Sequence, residues 1–207
     1  MGRGLFVTFE GIDGSGKSLQ ARRLAETLIA RGHDVVLTRE PGGSAGAEEI
    51  RRLLVEGEPD RWSAETELLL FTAARRDHLE KTIRPALAAG RIVVSDRFAD
   101  STRVYQGATR GDLRPLVDRL HTQMIGTDPD LTLILDIEPA VALDRGLKRN
   151  SGEDRFEDMG LAFQEQLRAG FLSLARAEPD RIQVIDADHA EDTVADAILA
   201  LVAARLP

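Results

Sequence analysis

The sequence predicts an α/β fold, a parallel sheet of five strands flanked by helices, on three observations. Short apolar runs alternate with amphipathic stretches along the whole chain, the pattern of repeated strand–helix–strand units. Gly32, Gly90 and Gly126 fall where helices are expected to stop. With 207 residues, 43% hydrophobic and 30% charged, the chain has ordinary globular composition and the length of one domain.

Taken in order, buried strands are expected at residues 5–9, 35–38, 91–95, 131–136 and 181–185. Helices are expected at 17–31, 45–55, 64–89, 113–126, 140–148, 161–177 and 193–204, with Ser63 as an N-cap. No Pro/Gly-rich linker divides the chain, so residues 1–207 are read as one domain. The segment Arg149-Asn150-Ser151-Gly152-Glu153-Asp154-Arg155 is polar and rich in turn residues; it fits a mobile lid at about 149–158 or an ordinary surface loop.

The net charge of −8 opposes the basic face that nucleic acid requires. The absence of cysteine excludes disulfides, thiol catalysis and Cys-ligated zinc. No apolar run approaches the ~18 residues of a membrane span, so no membrane partner is expected and the expected location is cytoplasmic. Of 27 basic residues only Lys17, Lys81 and Lys148 are Lys, so a Lys kept in a Gly-rich loop marks a position needing a compact ammonium.

That loop is Gly11-Ile12-Asp13-Gly14-Ser15-Gly16-Lys17-Ser18, a P-loop motif between a strand and an amphipathic helix. Its glycines let backbone N–H groups converge on the phosphates of a nucleoside triphosphate. The helix N-terminus adds positive partial charge, Lys17 reaches the β- and γ-phosphates, and Ser18 can ligand Mg²⁺. A P-loop alone does not separate kinase from motor or switch. Guanine reading by an Asn-Lys-x-Asp segment is closed, because the one Asn, Asn150, is followed by Ser151. Neither Asp96-Arg97 nor Asp136-Ile137 is the acidic pair of a motor ATPase. Asp96-Arg97 instead puts a cation at a strand's C-terminal end, where ligands collect, or forms a structural ion pair there.

Phe9-Glu10-Gly11-Ile12-Asp13-Gly14, Thr38-Arg39-Glu40-Pro41-Gly42-Gly43, Ser95-Asp96-Arg97-Phe98, Tyr105-Gln106-Gly107 and Asp154-Arg155-Phe156-Glu157 occur in that order. With them the chain resembles thymidylate kinase over nearly its whole length. The resemblance implies a P-loop nucleoside-monophosphate-kinase fold, a homodimer, and transfer of the γ-phosphate of Mg²⁺-bound ATP to dTMP. It implies that Phe71 stacks on thymine and that Arg75, at i+4 on the same helix face, donates to a base carbonyl. Without the resemblance Phe71 reads as core.

Arg39, Arg51 and Arg97 resemble positions near the acceptor phosphate, although Arg51 by itself reads as surface charge. Glu40, Pro41, Ser101, Tyr105 and Gln106 are expected around dTMP, with Tyr105 crowding out a ribose 2′-hydroxyl and Asp13 bonding the 3′-hydroxyl. Asp96 is expected on the catalytic side with Ser18 and the metal. His33, His78, His121 and His189 have no part in the reaction and read as surface or capping residues.

Some family members carry a catalytic arginine in the P-loop, where this chain has Gly14 and Ser15. Arg145 and Arg149 lead into the lid and Arg155 leaves it, so Arg149 or Arg155 is expected to reach the transferring phosphate. Phe98 stands in place of a more usual tyrosine, Leu19 in place of a hydroxyl residue, and Thr109 interrupts an Ala-Gly-Arg run. A kinase for another nucleoside monophosphate or for a deoxynucleoside is the alternative enzyme, and a nucleotide switch a more distant one.

Overall fold

The computed structural model describes residues 3–56, 61–107, 113–147 and 160–206. Five parallel strands form one sheet in the order β2-β3-β1-β4-β5: β1 Phe6–Glu10, β2 Val35–Arg39, β3 Ile92–Asp96, β4 Leu131–Asp136 and β5 Ile182–Asp186. Each expected strand is present, displaced by at most one residue. The inner three are buried throughout or nearly so. The edge strands β2 and β5 are not, since Leu37 and Val184 are exposed on the sheet's outer positions.

Period-two alternation divides the strand side chains between the sheet faces. Val7, Phe9, Ile92 and Val94 join a core cluster with Leu24, Leu28, Phe171 and Ile198. Phe6 and Val93 join a second with Leu79, Ile83, Leu87 and Phe98. The helices supplying those clusters include α1 Lys17–Ala30, α4 Arg84–Ala88, α8 Leu161–Ala177 and α9 Glu191–Ala203, while α3 Ala64–His78 leads into the turn that carries Leu79 and Ile83. α2 Ala45–Val55 packs on α3. Ser63 caps α3 as expected, its Oγ accepting from the Thr66 N–H at 3.2 Å.

Two long helices differ from expectation in the same way. The helix expected at 64–89 passes through a π-helical turn at Leu79–Ile83 before α4, and the one expected at 113–126 is α6 Arg114–Leu120 followed by a π-helical stretch at His121–Ile125. Pro85 explains the first: it has no N–H to return to residue 81, and a widened preceding turn accommodates that loss.

Helix α5, Ala99–Tyr105, was not expected, because its sequence Ala-Asp-Ser-Thr-Arg-Val-Tyr has no apolar period. It is buried by pairing instead. Asp100, 1% exposed, accepts from Arg103 Nη1 and from Arg181 Nη1 at 2.7 Å each, which satisfies a charge that would otherwise be costly to bury. Helix α7, Pro139–Leu147, follows β4.

Register brings Phe9 and Arg39 level with Asp96 at the C-terminal edge of the sheet. The chain switches from β1 to neighbours on both sides at this edge, the place where open α/β sheets bind ligands. Among the described residues no helix is long and apolar enough to cross a membrane.

Candidate active site

A cavity of about 280 Å³ opens at that edge. The phosphate-loop side is lined by Asp13, Gly14, Gly16, Lys17 and Ser18, and the opposite side by Arg39, Glu40, Pro41, Arg51, Phe71 and Arg75. Asp96, Arg97, Ser101, Tyr105 and Gln106 close it between them. Of the expected loop residues, Gly11, Ile12 and Ser15 lie behind this lining. Arg149 and Arg155, the expected lid at 149–158 and Thr109 lie outside the described residues.

Gly16 precedes α1 with no side-chain cap, so the first-turn N–H groups of a 14-residue helix are left for an anion. Lys17 Nζ donates to the Ile12 carbonyl at 2.7 Å and lies 4.0 Å from Asp13. Burial, with the positive charge of Arg97, pushes the Lys17 ammonium down to about 8, against the pull of Asp13, Asp96 and Glu10. Ser18 Oγ donates to Asp96 Oδ2, while Asp96 Oδ1 is buried with no hydrogen-bond partner among the described residues.

Arg97 is the one described non-glycine residue with positive φ, at 68°, a conformation costing about 1 kcal/mol or more. Its backbone is pinned on both sides: its N–H donates to the Phe9 carbonyl at 2.9 Å and its carbonyl accepts from Ser95 Oγ at 2.8 Å. The side chain enters the cavity, where Nη1 donates to Ser101 Oγ at 2.8 Å and Nη2 to Asp13. Tyr105 completes the group, its hydroxyl donating to Asp13 Oδ2 at 2.9 Å. Burial opposes the charge of Asp13, but Arg97, Lys17 and the Tyr105 hydroxyl outweigh it and hold that carboxyl below its ordinary range. Burial also pushes the Tyr105 phenol well up, so it remains a proton donor.

Glu10 carries no expected role, yet it is wholly buried at the end of β1 beneath Arg97. It accepts from the Phe98 N–H at 2.8 Å and from Ser101 Oγ, fixing the chain that follows the left-handed Arg97. The available signal was a carboxylate ending an apolar strand directly before Gly11. Burial and the neighbouring charge of Asp100 push Glu10 up to about 7, with Ser101, Arg97 and the Phe98 N–H pulling it back.

A raised carboxyl binds its proton more tightly folded than unfolded, so its contribution is complete below the unfolded value of 4.5 and is lost as pH rises through about 7. Urea unfolding of the native protein and of Glu10→Gln at about pH 5 and about pH 8 is expected to show the native protein losing more stability over this interval. Equal losses would contradict the assignment.

On the opposite side Arg75 is 5% exposed. Its Nε donates to Glu40 Oε2 at 2.7 Å, and its Nη2 to the Phe98 carbonyl at 3.1 Å and to Thr102 Oγ1 at 2.9 Å. Phe71, one turn earlier, is half-buried and lines the cavity, so the core reading of that ring does not hold. Arg51 donates from Nη1 to the Pro41 carbonyl at 2.6 Å and is not simply surface charge. Arg39 lies further out, 3.3 Å from Glu48. Gln106 Nε2 is committed to buried Glu67 Oε1 at 2.8 Å.

Phe98 packs edge-to-face on Phe6 at 5.0 Å with the Arg75 guanidinium over its ring, a site that needs no phenolic hydroxyl. The surface reading of the histidines fails for two of them: His78 is fully buried, and buried His121 lies 3.0 Å from Asp128.

The family model described as thymidylate kinase matches residues 9–198. Proteins named thymidylate kinase from Jannaschia sp. (strain CCS1) and Ruegeria pomeroyi (strain ATCC 700808 / DSM 15171 / DSS-3) are 69% and 66% identical over 202 and 205 residues. The matches cover 98% and 99% of this chain and 97% of each relative. A crystal structure of thymidylate kinase from Ehrlichia chaffeensis matches with a TM-score of 0.77 at 37% identity, covering 97% of this chain and 99% of that one. Motif order, sheet topology and likeness over almost the whole length agree, and the chain belongs to the thymidylate kinase family.

Proposed function

We propose that the cavity holds dTMP across its width, the base on Phe71 and Arg75 and the 5′-phosphate on Arg97 and Arg51. The P-loop then presents the γ-phosphate of ATP in line with it. The enzyme is an ATP:dTMP phosphotransferase that forms dTDP and ADP for dTTP synthesis. One observation carries the residue assignment: a single cavity joins the uncapped helix start behind Lys17 to a left-handed arginine and, beyond it, to a half-buried aromatic ring.

An acceptor phosphate with a second pKa of about 6 is already an anion near neutrality, so no general base is required. The chemical demand is for cations between two polyanions held in line. Lys17 and Arg97 supply it from beside Asp13, while Arg149 or Arg155 supplies it from the lid. Asp13 and Tyr105 border the sugar. Ser18 and Asp96, whose Oδ1 has no hydrogen-bond partner among the described residues, offer oxygens suited to Mg²⁺. Mg²⁺ bound with the nucleotide would screen the β- and γ-phosphate charge there.

The working unit is proposed to be a cytoplasmic homodimer. Exposed Leu69 on α3 and Met124 in the neighbouring π-helical stretch, joined by an Arg76 bond to the Met124 carbonyl, offer an apolar contact.

ADP release measured with dTMP, dUMP, dCMP and AMP in parallel tests the acceptor assignment. The expected order puts dTMP first, with kcat/KM for AMP lower by about 10² or more because a purine cannot occupy the Phe71–Arg75 corner. ADP release indifferent to the acceptor would contradict it.

A further inference from the structure

Thr38 and Glu40 are two residues apart on an extended segment and therefore point the same way; Arg75 and His78 are i, i+3 on α3 and share a face. The two pairs interlock. Thr38 Oγ1 and His78 Nε2 are 2.7 Å apart, His78 Nδ1 and Glu40 Oε1 3.0 Å, and Arg75 Nε donates to Glu40 Oε2 at 2.7 Å. A carboxylate only accepts, so the His78 proton sits on Nδ1, and in the neutral ring Nε2 accepts from the Thr38 hydroxyl.

The ring has no freedom to turn. Its nitrogens are both bonded, and the backbone of Gly43 lies against it so closely that a Cβ there would be 2.3 Å from Nε2. The Gly43 carbonyl in turn accepts from Thr82 Oγ1 at 2.7 Å, tying the loop to the helix a second time.

The consequence falls on Arg75. Glu40 takes Nε, while Phe98 and Thr102 take Nη2, which leaves the two N–H groups of Nη1 without a partner among the described residues. We infer that His78 is a positioning residue for acceptor recognition: by fixing Glu40 it sets the plane of the Arg75 guanidinium, so that Nη1 faces a base carbonyl above Phe71. This rests on the reading of Phe71 and Arg75 as the base site.

The test is a double-mutant cycle read as the KM for dTMP. Arg75→Ala is expected to raise it about tenfold or more, as loss of a hydrogen bond from a charged donor does. His78→Leu is expected to raise it about tenfold, with KM for ATP and kcat within about twofold. His78→Asn, which keeps a donor toward Glu40, is expected to recover most of the loss. Combining Arg75→Ala with His78→Leu is expected to add nothing to Arg75→Ala alone, because His78 acts through Arg75.

A purely structural role would give additive effects, or would raise both KM values together; either result overturns the inference. So does a folded His78→Leu enzyme with native KM for dTMP. Should His78→Leu fail to fold, Thr38→Val replaces it in the same cycle, with a smaller rise and the same non-additivity expected. An Arg75→Ala enzyme with unchanged KM for dTMP would instead defeat the base-site reading on which the relay depends.

Discussion

Replacing Arg149 or Arg155 by Ala is expected to lower kcat by about 10³-fold or more, the scale of losing an arginine finger, with little change in KM for dTMP. The P-loop itself carries no arginine. Gly14 has φ of 84°, and a Cβ added there would lie 2.1 Å from the Ala142 carbonyl oxygen of α7. Backbone occupies the place a side chain at position 14 would need, and position 15 is a serine, so neither supplies an arginine to the phosphates.

Arg97, within the cavity, holds Asp13 and Ser101, and Arg145 on α7 is not among the residues that line the cavity and lies 3.9 Å from Asp188. The helices on either side of the proposed lid are both anchored at the phosphate edge. α7 packs on Gly14, and α8 is tied to the end of β4 by Arg168, which donates Nε and Nη2 to the Asp136 carboxylate at 2.7 and 3.0 Å. Charge needed only at the transition state is therefore proposed to come from Arg149 or Arg155. Single-turnover rates of the two Ala variants measure this directly, and native rates in both would exclude a catalytic lid.

The parts of the fold that could be read from the residues were those with a period. Strands β1 and β4 are apolar because both faces are covered, and α1 has an apolar stripe, so position and type followed from pattern. α5 has no such pattern. Its burial rests on Asp100, Arg103 and Arg181, and pairing between residues 81 apart in sequence leaves no local trace.

The same distinction separates the site residues. Lys17, Asp13 and Arg97 sit in motifs with a chemical reason for each residue, whereas Glu10 and His78 act only through what the fold sets beside them. A buried histidine bonded on both nitrogens and an exposed one are identical in sequence. Spacing placed Phe71 and Arg75 on one face, but only the cavity distinguished an aromatic wall from a core residue.

Arg97 is proposed to read the 5′-phosphate of the acceptor. Its left-handed backbone has a conformational cost that Ala would share, so Arg97→Ala removes the guanidinium without relieving much strain. The change leaves Asp13 with Tyr105 and Lys17 as neighbours but without its main countercharge. Losing a partly buried cation from a phosphate costs about 2–5 kcal/mol, which corresponds to a kcat/KM for dTMP lower by about 30-fold or more. Weakened packing would affect every acceptor, whereas loss of a phosphate contact affects only the phosphorylated one. Equilibrium titration of the native protein and Arg97→Ala with dTMP and with thymidine separates these. The expected result is a strong native preference for dTMP that falls about tenfold or more in the variant, while thymidine affinity changes little. If both ligands weaken equally and the preference survives, Arg97 does not hold the acceptor phosphate.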